Sequence, residues 1–198
     1  MKKALLISLS LVLALVGWSA VCADDFYVIP AMKAKYAPVP KTGQTTNYVA
    51  GDDGDLEKGV AWPTPRFTDN LNGTVTDNLT KLIWLKNGNT FGSKTWSEAL
   101  QAANTLQSNP VLGLTDGSKA GDWRLPNVNE LQSLLDHGNF DPALPEGHPF
   151  TEVATVYWSS TTRPSNSSIA YGVSFYSGIT EFNVKSGNNP VLPVRGGK

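Results

Sequence analysis

Two capping boxes constrain this chain more than any other feature. Thr95-Trp96-Ser97-Glu98 and Asn127-Val128-Asn129-Glu130 each place a capping side chain three residues ahead of a glutamate. In such a box the first side chain accepts the N–H of the fourth residue, and the glutamate reaches back to the first N–H. Trp96, Ala99, Leu100, Ala103 and Leu106 then recur at helical spacing and predict an amphipathic helix ending near Leu106. After the second box, Val128, Leu131, Leu134 and Leu135 form the inner face of another helix, with Gly138 as its stop. A loop rich in Gly, Asn and Asp separates them, from Ser108 to Gly121.

Both flanks of this helical middle carry β signals. Phe67 to Asn78 repeats a Thr-Asp-Asn-Leu unit around Asn72-Gly73, a hairpin signal because both residues tolerate positive φ. Leu82-Ile83-Trp84-Leu85 is apolar without alternation and reads as a strand buried on both faces. Past a loop with Pro142, Pro145 and Pro149, strands are expected over Val153 to Ser160, Ala170 to Phe175, Ile179 to Val184 and Val191 to Arg195. Tyr171, Val173 and Phe175 share one face, as do Thr180, Phe182 and Val184. Helices grouped between strands predict an α+β fold, two helices packed on antiparallel β-strands with an N-terminal hairpin.

The N-terminal third differs. Lys2 and Lys3, the uncharged run Ala4 to Val16, and Val21-Cys22-Ala23 fit a secretory signal peptide over residues 1–23. The apolar run is short for a membrane span of about 20 residues. Val21 before Cys22 departs from the small residue that lipid attachment prefers. Cleavage there removes Cys22, the only cysteine, so disulfides, thiol nucleophiles and cysteine-bound metals are all excluded from the product. Residues 24–62, broken by Pro30, Pro38 and Pro40, are expected to be an extended polar segment, and residues 63–198 a single domain. Asp52-Asp53-Gly54-Asp55 reads as a solvated acidic turn, since most of a calcium loop's ligand pattern is missing.

Chemistry-bearing residues are sparse. The net charge of −1 and the absence of a basic stretch argue against nucleic acid. Asp69, Asn70, Asn72 and Asp77 could jointly hold calcium, but Asp and Asn are also the ordinary hairpin residues, and the turn reading is preferred. Asp136-His137 is the one adjacent acid–imidazole pair, and adjacency is not the geometry of a triad. His148 sits in the proline-rich loop, and Glu146 with Glu152 form a conceivable carboxylate pair. No nucleophile elbow, phosphate loop or histidine-rich metal motif occurs. The chain is therefore expected to be no enzyme and to need no cofactor. Asp122 and Arg124 read as braces of a strand-to-helix corner. Trp84, Trp96, Trp123 and Trp158 read as core.

Taken in order, Phe67-Thr68-Asp69-Asn70, Gly73-Thr74-Val75-Thr76-Asp77, Trp84, Trp96 with Ala99, Asp122 to Asn127, Glu130-Leu131, Tyr157 to Thr161 and Val194-Arg195 resemble the Lcl C-terminal domain family. The resemblance spans about Arg66 to Lys198. It implies a C-type-lectin-like fold related to that of formylglycine-generating enzymes, with the chain ends brought together. The cysteines of those enzymes are missing, as are the Glu-Pro-Asn, Gln-Pro-Asp and Trp-Asn-Asp triplets of calcium-dependent lectins. No collagen-like tract is present either.

Two functions fit. One is a secreted recognition module that binds a surface glycan or a cell-surface protein through loops between the C-terminal strands. Arg163, Asn166, Tyr171, Tyr176, Asn183, Lys185, Asn188 and Asn189 supply rings, amides and charge there. The same residues suit plain β-turns equally well. The other function is structural, in a bacterial envelope or cell-surface assembly, with the proline-punctuated segment as tether.

Overall fold

The computed structural model describes residues 39–196. The expected signal peptide and residues 24–38 of the expected polar segment lie outside the described residues. The order of elements is a one-turn helix, four strands, two α-helices with a short 3₁₀ helix (Pro110–Leu112) between them, and five strands. We label the helices α1 (Asp53–Leu56), α2 (Trp96–Thr105) and α3 (Val128–Gln132). The strands are β1 (Phe67–Asp69), β2 (Thr74–Asp77), β3 (Ile83–Leu85), β4 (Ser93–Lys94), β5 (Val156–Thr162), β6 (Ile169–Ser174), β7 (Thr180–Val184), β8 (Asn189–Pro190) and β9 (Val194–Arg195). The fold is mixed α+β with antiparallel sheets.

Three sheets share the work. One has the order β1-β2-β3-β9, the second pairs β4 with β8, and the third has the order β5-β6-β7. The hairpin forms as its residues predict, but the positive φ falls on Leu71 and Gly73 rather than on Asn72. Asn72 instead folds its carbonyl oxygen back onto the Thr74 hydroxyl, 2.7 Å away. β9 joins the far side of β3, with Trp84 opposite Val194. Arg124 also bridges to Val194 through both backbone groups.

The three-stranded sheet lies between two cores. On one face Tyr157, Val173 and Phe175 pack with Trp84, Leu131, Leu134, Leu135 and Leu192. On the other, Trp158 and Ala170 pack with Ala99, Ala103, Leu125 and Val191. Trp123 is fully buried in a third cluster with Leu85, Leu106 and Leu114. Both capping boxes are formed. Trp96 is only partly buried; its indole N–H donates to the Ser159 carbonyl at 2.8 Å.

Several boundaries depart from the sequence expectation. α3 stops at Gln132, although Leu134 and Leu135 are buried as expected. There Leu134 and Leu135 donate to carbonyls only three residues back, and the Ser133 hydroxyl takes the Glu130 carbonyl, so the turn tightens. β5 starts at Val156 rather than Val153 because the Ala154 N–H donates to the Tyr157 hydroxyl at 2.7 Å.

Residues 39–62 are not extended. Lys41 and Val60 each join the opposite limb by a backbone hydrogen bond, so the segment is a loop closed at its neck. The acidic run is not a simple turn but the start of α1, with Asp52 accepting the Asp55 N–H at 2.9 Å. Only glycine fits at 54, where an added Cβ would overlap the Thr46 carbonyl.

Candidate functional site

β7 alternates as an ordinary half-buried strand would, yet none of its five residues is buried. It lies at the edge of its sheet, and its partner β6 shields only one flank. Phe182 and Val184 therefore stand 56% and 58% exposed, with Ile179 just before the strand at 54%. An edge strand carrying apolar side chains is unusual, because such edges invite pairing with other chains.

The Phe182 ring is nonetheless held. Tyr171 lies directly opposite it on β6, ring centroids 5.2 Å apart and tilted by 53°. From the β5–β6 turn, the Arg163 guanidinium carbon sits 4.4 Å from the Phe182 centroid. That turn is itself closed: Arg163 donates its N–H to the Ile169 carbonyl at 2.9 Å, and the Asn166 side chain accepts from the Ser168 N–H at 3.0 Å. Arg163 has no carboxylate partner among the described residues.

The other expected contacts do not converge on this cluster. Lys185 reaches the opposite side of the sheet, its ammonium 3.7 Å from the Trp96 centroid and 2.7 Å from the Thr162 hydroxyl. Asn183 is no surface amide: its nitrogen is buried without a partner, over Gly172. Asn189 is paired with Lys94 in the two-stranded ribbon, while Asn188 is exposed in the turn ahead of it. Tyr176 is exposed, but it lies in the β6–β7 turn, at the far end of the sheet from Arg163. Of the eight residues, the structure brings Arg163 and Tyr171 together around Phe182 on the sheet face. Sequence reading missed Phe182 and Val184 because alternation reports amphipathicity and not which face is covered.

Elsewhere the charged candidates are committed to structure. Asp136 accepts from Gly138 N–H and the Asn139 amide, so it does not orient His137. Arg124 pairs with Glu130 through two bonds of 2.7 and 2.6 Å, not with Asp122. Burial pushes the Glu130 carboxyl up, but the Arg124 and Asn127 hydrogen bonds and the Arg124 charge prevail and hold it below its usual 4.5. Burial holds His148 below the usual histidine value, and pushes the Tyr157 hydroxyl up to about 12. The four hairpin residues are each held by protein groups: Asp69 by Lys86 at 2.7 Å, Asn70 by Thr74 and Thr76, Asn72 by the same Thr74, and Asp77 by Arg66 at 2.9 Å. Among the described residues no group of three His, Cys, Asp or Glu is placed to hold a metal ion. Among them, too, no helix is long and apolar enough to cross a membrane.

The sequence model of the Lcl C-terminal domain matches residues 73–195, more than half of the chain, from the hairpin glycine through β9. The chain has no match among curated proteins.

Proposed function

The chain belongs to the Lcl C-terminal domain family, and from that premise we propose that it is a secreted recognition module that performs no catalysis. We read its fold as C-type-lectin-like and its ligand as a surface glycan or a cell-surface protein. The observation that carries this reading is the Phe182 ring, more than half exposed yet fixed between Arg163 and Tyr171. A ring already ordered before binding loses little conformational freedom on contact. Aromatic and arginine side chains also dominate the energetics of interfaces. Arg163 adds a planar set of donors beside the ring, suited to hydroxyl or carbonyl oxygens.

A glycan array probed with the purified protein tests the reading, followed by titration of any hit against Phe182→Ala. Saturable binding that the substitution weakens supports it. An array without saturable binding, together with a stable envelope partner that co-purifies, favours a structural component of an envelope assembly instead.

A further inference from the structure

The closed loop 39–62 does more than pack on the domain. Together with the segment after α3 it forms an open-sided cavity of about 470 Å³, within the roughly 300–1,000 Å³ of small-molecule sites. Lys41, Thr46 and Trp62 line it from the loop, and Asp136, Asn139 and Glu146 from the facing segment. The two sides are tied by the His137 N–H, which donates to the Thr42 carbonyl at 2.8 Å.

Charge inside is one-sided. The charge of Lys41 is balanced by Glu57, 2.8 Å away. Asp136 and Glu146 have no cationic partner among the described residues. The two donors on Asp136 are a backbone N–H and an amide, so neither neutralises its charge. Asn139 gives its amide nitrogen to Asp136 and to the Leu144 carbonyl, and what it retains is an acceptor oxygen. Trp62 adds an aromatic surface, one face of which is occupied by the Arg66 guanidinium at 4.9 Å. That arginine is already paired with Asp77.

An aromatic wall and two carboxylates without a cationic partner disfavour anions and favour a donor-rich cation with an apolar skeleton. We propose that this cavity binds a small primary amine, its ammonium donating to Asp136 and Glu146 and its carbon chain lying against Trp62. The site is separate from the Phe182 face and does not depend on the reading of that face.

Calorimetric titration with putrescine, with glucose as the neutral polyol, tests the proposal. Saturable putrescine binding is expected, weakened by added salt. Glu146→Gln should weaken it by about tenfold, the usual worth of a hydrogen bond to a charged group. Glu146 is exposed, so this variant should melt like the parent. Phe182→Ala should leave the titration unchanged. The proposal is overturned if putrescine gives no saturable heat, if glucose binds as tightly, if a normally melting Glu146→Gln binds like the parent, or if Phe182→Ala abolishes amine binding.

Discussion

β5 and β7 flank the same strand and meet opposite fates. β5 contributes Tyr157 to one core and Trp158 to the other, and both side chains are essentially inaccessible. β7 carries Phe182 and Val184 on a similar alternation and buries neither. What separates them is coverage. α2 and the residues around α3 close over β5 and β6, whereas at β7 Gln132 reaches across to donate to the Thr180 hydroxyl at 2.6 Å and the strand's five residues stay unburied. Apolar residues on β5 are thus held by folding, and those on β7 are left for other contacts. The burial of a strand is a property of its neighbours as much as of its sequence.

The contrast can be broken at its strongest point first. Trp158→Ala should cost about 3–5 kcal/mol of stability, read by denaturant unfolding, because it empties a fully buried site and leaves the Lys94 carbonyl without its donor. A cost below about 1 kcal/mol would show that β5 is no better anchored than β7. Asn127→Ala removes the acceptor of the Glu130 N–H, at 2.9 Å, from the cap of the helix covering the sheet. A loss of about 1 kcal/mol is expected, again from denaturant unfolding.

Acid should act on the covered side too. Glu130 titrates below its unfolded value, so its contribution is complete above about 4.5 and is lost as pH falls through the lower folded value. Because Arg124 is partly exposed, the effect should be small. Melting temperature followed downward from pH 5 should fall less steeply in Glu130→Gln; parallel curves would remove Glu130 from the account. The smallest effect belongs to β7. Phe182→Ala should shift stability by no more than about 0.5 kcal/mol, while Trp158→Ala does not spare it. A Phe182→Ala variant that melts much lower would make β7 part of the core and remove the candidate surface.

The helices were legible because their signals are local. Thr95, Glu98, Asn127 and Glu130 state in four-residue windows where each helix begins. Trp84, Trp123 and Trp158 were legible as core from the apolar patterns around them. The site was less so. Arg163 and Tyr171 were recognisable as surface chemistry, but Phe182 joins them only through a cross-strand register and an uncovered edge, and neither is written in the β7 sequence. Asn183 shows the reverse error, a half-buried strand residue whose amide nitrogen is turned in over Gly172. The loop at 39–62 escaped for the same reason, since its closure depends on Lys41 meeting Val60 across intervening chain.

β9 has a bearing on how the molecule is made. The sheet begun at Phe67 is completed only when Val194 and Arg195 pair with β3. During synthesis the hairpin and its third strand emerge with one edge open, which stays open until β9, far along the chain, has been added. Contacts so distant along the chain slow folding, because loop closure must precede the pairing that rewards it. The nascent chain consequently cannot complete this sheet, whatever its hairpin does early, until β9 has been made.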